Sequence, residues 1–287
     1  MTNVRVVVDS TADLPQHIRE SLGVAMVPLK VHFGNDTYLD SITMSSEQFF
    51  AKLAQAKEMP TTSQPSPLDF LETYKKLLEE PDTAIVSIHI SSALSGTYQS
   101  AVLAKSMLEE PMNGRVSIVD SKSASLGVGF IAMAVAAAAA NGADVAQCLE
   151  VFQKIKQKTK LYFLVETLEF LHRNGRIGKA SALFGSLLNI KPILSIDDEG
   201  MIFPVDKIRG SRKAMSRIMD LIETDFGQQE LEVTFVHANA MAAAQEFSSL
   251  VTERLQVSQT NLYELGPVIG THVGPGTLGI LVSPIIK

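Results

Sequence analysis

Four short segments of this sequence concentrate hydroxyls or glycines: Asp9-Ser10-Thr11, Thr61-Thr62-Ser63-Gln64, Ser91-Ser92-Ala93-Leu94-Ser95-Gly96-Thr97 and His272-Val273-Gly274-Pro275-Gly276-Thr277. Each follows or adjoins a stretch that reads as a β-strand end. Hydroxyl donors and free backbone N–H groups in such places suit an anion, and ligands of open α/β sheets gather outside the carboxyl ends of the strands. The competing reading is that the same Ser and Thr side chains cap helices, each satisfying one orphan N–H. One segment alone does not choose between the two. The coincidence of four favours a site.

Other groupings fail on spacing. Ser95, with His272 and Asp9 or Asp120, supplies the residue types of a nucleophilic triad, but the Gly-x-Ser-x-Gly elbow is absent because Ala93 and Leu94 precede Ser95. Gly127-Val128-Gly129-Phe130-Ile131-Ala132 matches the dinucleotide fingerprint, yet the preceding strand ends near Val119, too early for the tight turn required. Close packing of a helix on the sheet explains those glycines better. Gly175-Arg176-Ile177-Gly178-Lys179-Ala180 is not a phosphate loop, which would need Gly in place of Arg173 and Ser or Thr in place of Ala180. Arg173, Arg176 and Lys179 remain as a basic cluster, either solvated surface or a docking patch for an acidic partner. The six histidines are scattered and none has a partner at zinc spacing, so no metal is expected. His89 lies in an apolar strand and reads as a neutral core residue. His272 stands beside glycines that let backbone approach a ligand closely.

Composition bounds the partners. The 287 residues suggest two domains, and 46% hydrophobic with 20% charged residues excludes intrinsic disorder. Twenty-five Lys and Arg against 31 Asp and Glu leave a net charge of −6, a sign that disfavours nucleic acid and anionic membranes. The single Cys148 fits a reducing cytoplasm. The N-terminal residues read as a strand rather than a signal peptide. The apolar run Leu126–Ala140 is shorter than the ~20 residues that span a bilayer, and reads as a buried helix. A soluble, cytoplasmic protein without a membrane segment is expected.

The elements that must position these residues alternate strand and helix through the first half. Strands are expected at 4–8, 24–29, 83–90 and 115–119, and helices at 15–22, 49–54, 70–78, 97–108, 125–140 and 144–158. Residues 60–67 read as a polar, Pro-punctuated connection. After about residue 161 the rhythm changes: a hairpin over 192–205, a helix through Met215, Ile218, Met219, Ile222 and Phe226, a strand at 232–237, a helix at 241–255, and two terminal strands flanking Gly270–Gly276. The fold class is α/β, with an N-terminal domain (1–160) built on a largely parallel sheet flanked by helices and a C-terminal α+β domain (161–287) with a mixed sheet. Val7-Val8-Asp9-Ser10 and Ile118-Val119-Asp120-Ser121 echo each other, each a buried strand ending in a polar turn.

Several of these motifs together resemble the DegV family of bacterial proteins: Asp9-Ser10-Thr11-Ala12-Asp13-Leu14, Thr62-Ser63-Gln64-Pro65, Leu94-Ser95-Gly96-Thr97-Tyr98, Val119-Asp120-Ser121-Lys122, Gly175-Arg176-Ile177-x-Lys179, Lys191-Pro192-Ile193 and His272-Val273-Gly274-Pro275-Gly276. The resemblance covers the chain from first strand to last, in order. It implies two domains enclosing a long-chain fatty acid, carboxylate in a polar pocket and acyl chain in an apolar tunnel. Members resembling the FakB subunits of bacterial fatty acid kinase present that acid to a separate kinase, which forms the acyl phosphate. The resemblance places the carboxylate-binding hydroxyls at Thr62 and Ser95, with Ser63, Gly96 and Thr97 beside them. It places a basic residue at Arg209, the histidine of the C-terminal Gly-rich loop at His272, and the kinase-facing basic loop at Arg176 and Lys179. It implies a carrier with no catalytic residues and no cofactor; the alternative is a serine esterase using Ser95 and His272.

Overall fold

The computed structural model describes residues 3–185 and 190–285. The chain divides into two compact units, Met1–Ser45 with Pro60–Gln157, and Ser46–Met59 with Lys158–Lys287. The sequence reading places Ser46–Met59 in the first domain, whereas the structure groups it with the second unit.

In the first unit β1 (Asn3–Asp9) leads through a 3-10 turn to α1 (Gln16–Ser21) and β2 (Ala25–Val27). A hairpin of β3 (Lys30–Phe33) and β4 (Asp36–Leu39) follows. After α2 (Ser46–Leu53), which belongs to the second unit, come β5 (Thr61–Ser63), α3 (Pro67–Leu78), β6 (Thr83–His89), α4 (Thr97–Ser106), β7 (Val116–Asp120), α5 (Leu126–Ala140) and α6 (Val145–Lys158). The main sheet has the order β2-β1-β6-β7, and every pair in it is parallel. Such strands are covered on both faces, which is why β6 is buried at all seven positions. Ser66 starts α3 with a capping box, accepting from the Asp69 N–H while the Asp69 carboxylate accepts from its own, and Pro67 fits the first turn. Phe70, Tyr74 and Leu78 then recur at helical spacing and pack with Ala101 and Ala104 of α4 against Val7, Ile85 and Val116.

Two sequence expectations change here. The strand expected over 24–29 is split, because its fixed-φ Pro28 separates β2 from β3, which joins a different sheet. The connection expected over 60–67 contains a strand: β5 pairs antiparallel with β3, Val31 opposite Thr62 and Lys30 opposite Ser63.

The second unit contains α2, β8 (Lys160–Leu164), α7 (Glu169–Arg173), β9 (Ile190–Ile196), β10 (Ile202–Arg209), α8 (Ser211–Phe226), β11 (Leu231–His237), α9 (Met241–Arg254), β12 (Val257–Glu264), α10 (Pro267–Val273) and β13 (Leu278–Pro284). Its sheet has the order β10-β9-β8-β13-β11-β12. Only β11 and β12, joined through α9, are parallel, so the sheet is mixed. The apolar faces of α8 (Met215, Ile218, Ile222) and α9 (Phe247, Val251) bury Val233, Phe235 and Ile280. Where a Gly-rich loop is expected, residues 267–273 form α10, with Pro267 in its first turn. No helix among the described residues is long and apolar enough to cross a membrane.

Candidate functional site

The carboxyl ends of β1, β6 and β7 carry a dense set of polar side chains. Asp9, the last residue of β1, is fully buried and accepts from the backbone N–H and hydroxyl of Thr11 and from the Ile90 N–H at 3.0 Å. Ser10 donates its hydroxyl to Asp40 at 2.6 Å and accepts from the Leu29 N–H. On the other side Asp120, the last residue of β7, accepts from the Ser92 N–H with both oxygens at 3.3 Å and from the Lys122 N–H at 2.9 Å. The exit of β6 is thus gripped by one aspartate from each neighbouring strand. The repeated Val-Asp-Ser at the ends of β1 and β7 is the sequence signal for this arrangement.

Between those anchors the segment 91–97 forms a turn: Ser91 O accepts from the N–H groups of Leu94 and Ser95. Ser95 Oγ then lies 2.8 Å from Thr97 Oγ1 and accepts from the Thr97 N–H at 3.3 Å. The N-cap of α4 is Gly96, which has no side chain to offer, and the hydroxyl of Ser95, one residue earlier, is what accepts from the first helical N–H. At Gly96 the Gln64 side chain lies close over the backbone: a Cβ there would come within 2.6 Å of Gln64 Nε2 and push that amide aside. That contact brings the strand Thr61–Ser63 up to the turn. Thr62 is half-buried there; Ser63, facing the other way, bonds His32 Nε2 at 2.9 Å. Ser95, Gly96 and Thr97 thus form one turn with the Gln64 side chain against it, and Ser63 is directed into a separate pair.

The same end of the sheet carries backbone strain. Asp13, Lys122 and Ser125 have φ of 50°, 54° and 52°, a region that non-glycine residues rarely occupy. Ser125 donates to Asp13 at 2.6 Å. Such strain persists only where the surroundings over-determine it, and it clusters at binding sites.

A serine, histidine and aspartate do line up in this unit, but not those weighed in the sequence. Ser87 Oγ is 2.7 Å from His89 Nε2, and His89 Nδ1 is 3.1 Å from Asp9. All three are fully buried, and Ser87 also meets the Tyr74 hydroxyl at 2.8 Å. Burial, ahead of the Ser87 bond that works against it, holds the Tyr74 phenol far above its ordinary pKa. A nucleophile must reach its substrate, and Ser87 has no path to one. Ser95, for its part, bonds neither histidine nor carboxylate among the described residues.

In the second unit His272 lies on α10, where Gly270 lets the helix approach the rings of Phe49 and Phe50. Gly274, at φ 76°, is pressed against the Phe170 ring. Burial, helped by the Arg176 charge, lowers the His272 pKa to about 4, so the imidazole is neutral at ordinary pH. Arg209 is exposed at the end of β10. Arg176 is exposed and donates to Asn174 O at 2.7 Å. Lys179 is tied down by Asp197 at 2.6 Å and Glu199 at 3.0 Å on the β9–β10 turn, and both partners raise its pKa. Arg173 pairs with Glu169 at 2.5 Å. This unit also holds a cleft of about 660 Å³, lined by Phe50, Leu53, Met59 and Phe170 together with the charged Lys57, Glu58 and Arg173. No cluster of metal-ligating side chains occurs among the described residues.

A parallel-sheet unit with hydroxyl-rich strand ends, paired in sequence with a mixed-sheet unit, defines a two-unit α/β architecture. The family model described as "Uncharacterised protein, DegV family" matches residues 3–284. A DegV domain-containing protein of Halalkalibacterium halodurans is 38% identical over 283 residues, covering 98% of each chain. Among solved structures, a DegV family protein from Thermus thermophilus described as fatty acid binding superposes with a TM-score of 0.91 at 37% identity, covering 99% of this chain and 100% of that one. DegV of Bacillus subtilis, described as a fatty acid binding protein, gives 0.89 at 35%, with the same coverage. The chain belongs to the DegV family.

Proposed function

We propose that this protein binds a long-chain fatty acid and presents its carboxylate to a separate kinase for acyl-phosphate formation. The observation that carries the reading is the turn Ser91–Thr97 at the carboxyl end of a parallel sheet, which sets the Ser95 and Thr97 hydroxyls side by side with the Gln64 side chain against Gly96; Thr62, two residues before Gln64, is the further hydroxyl that the family pattern assigns. A desolvated carboxylate costs several kcal/mol unless hydrogen-bonded, and each bond to such a charge contributes roughly 1.5–3 kcal/mol. Arg209 and His272 are the further head-group residues that the family pattern assigns. Ten buried methylenes contribute roughly 8 kcal/mol before association costs. The cleft in the second unit has the volume of an ordinary small-molecule pocket, and its lining mixes apolar side chains such as Phe50, Leu53 and Phe170 with the charged Lys57, Glu58 and Arg173. The two relatives described as fatty acid binding support the ligand class. In this reading the protein is a cytoplasmic carrier without catalytic residues or cofactor.

The test has two parts. Native mass spectrometry of the purified protein should show a long-chain acid bound or readily taken up; failure of uptake overturns the proposal. Ser95→Ala should then cost about ten- to a hundredfold in affinity for the acid, the loss of one charge-assisted hydrogen bond. The methyl ester should lose less. Equal losses for both ligands would remove Ser95 from the head-group site.

A further inference from the structure

Asp120 and Lys122 stand at the mouth of the first unit without any part in the reading above. Lys122 Nζ is 2.9 Å from Asp120 Oδ2 and donates to Ser92 Oγ at 3.2 Å. Asp120 accepts from the Ser92 N–H and the Lys122 N–H. Ser92 is therefore held at two points, backbone through the aspartate and side chain through the lysine. The adjoining residue is tied to the same loop, since the Ser91 N–H donates to Ser123 O at 2.8 Å. Lys122 adopts φ 54° in this position, a left-handed conformation that L residues rarely hold. Burial opposes ionisation of Asp120, but the bonds from Ser92 and Lys122 win and lower its pKa, so it stays charged.

The grip extends to Ser95. Ser91 O accepts from the Leu94 and Ser95 N–H groups, and the Ser91 hydroxyl accepts from the Ala93 N–H at 3.2 Å. Moving Ser91-Ser92 must shift the turn that presents Ser95 and Thr97.

We propose that Asp120 and Lys122 act as a clasp that positions the Ser91–Thr97 turn for its anion, a role exerted through Ser92 and not by contact with the ligand. The inference rests on the fatty-acid reading. It makes a demand that simple electrostatics does not. The pair is neutral as a whole, so its loss changes geometry but leaves the local charge where it was. The two halves, removed separately, change that charge in opposite directions.

Three variants separate position from field: Asp120→Ala, Lys122→Met and the double substitution. Affinities for palmitic and oleic acids and their methyl esters are measured on each, alongside thermal unfolding. If the clasp positions the turn, all three variants lose acid affinity by about five- to tenfold, the double no more than either single. Ester affinity changes less, and hydrogen exchange at the Ser92 and Ser95 amides rises in all three. If the residues act only by charge, Asp120→Ala binds acid more tightly, Lys122→Met more weakly, and the double variant matches wild type. That result overturns the clasp. Lys122→Arg should recover most of the lost affinity. Should Asp120→Ala fail to fold, Asp120→Asn and the two Lys122 variants carry the same comparison. Wild-type protein that takes up no acid overturns the fatty-acid reading and the clasp together; uptake with an unchanged double variant overturns the clasp alone.

Discussion

His272 carries the sharpest single-residue consequence of the fold. An imidazole in water protonates near pH 6.5, but burial and the Arg176 charge hold this one neutral until about pH 4. Between those values the unfolded chain binds a proton that the folded chain refuses, so the residue's contribution to stability is intact above pH 6.5 and falls as pH falls. Denaturant unfolding of wild type at pH 7 and pH 5 should show a loss about 2 kcal/mol larger than that of His272→Gln. Identical pH dependence in the two proteins would place His272 in solvent. Arg176→Ala should raise the His272 pKa, read by its ring-proton NMR titration. At the same scale, the residue types of Ser95 and Thr62 left an anion ligand and a helix cap open alike; the fold takes the cap from Thr62 and leaves it with Ser95, whose hydroxyl accepts from the Thr97 N–H at the start of α4.

At the scale of elements, Gly129 shows why a fingerprint need not mean a nucleotide. A Cβ at that position of α5 would meet the Ala12 carbonyl at 2.5 Å and Leu14 Cδ2 at 3.1 Å, with backbone that cannot step aside. Gly→Ala in an exposed helix stabilises by roughly 1 kcal/mol, but here overpacking should cost about 1–3 kcal/mol and lower the melting temperature. A Gly129→Ala protein as stable as wild type would show that α5 does not seat closely on the β1–α1 turn. The parallel sheet was legible because β1 and β6 are continuous apolar runs, and α3 and α8 because their apolar residues recur at 3 and 4. The sequence concealed β5 and α10. Three hydroxyl residues between prolines show no alternation, and β5 exists because β3 lies beside it to pair with. Seven residues containing a central glycine fall well below the length at which helices hold themselves, so α10 depends on its packing against Phe49 and Phe50. Asp120 and Lys122 were hidden for a related reason: a polar turn after a strand looks the same whether or not it grips its neighbour.

For the whole molecule the governing quantity is a net charge of −6, against which any basic surface feature stands out to an approaching protein. The cluster at Arg173, Arg176 and Lys179 looked uniform in sequence. In the fold Arg173 is paired with Glu169, and Lys179 braces the β9–β10 turn through Asp197 and Glu199. Reversing the three charges should therefore have unequal effects on coupling to the kinase proposed above. Arg176→Glu should slow acyl-phosphate production with fatty-acid uptake unchanged, most strongly at low ionic strength, where screening is weakest. Lys179→Glu should do the same and also lower the melting temperature, because it sets a third negative charge beside Asp197 and Glu199. Lys179→Met separates the two effects, since it releases the turn without adding repulsion toward the kinase. The measurement is the initial rate of acyl-phosphate formation at two salt concentrations, together with unfolding of each variant. Equal rates for Arg176→Glu and wild type at low salt would take the docking surface away from this loop.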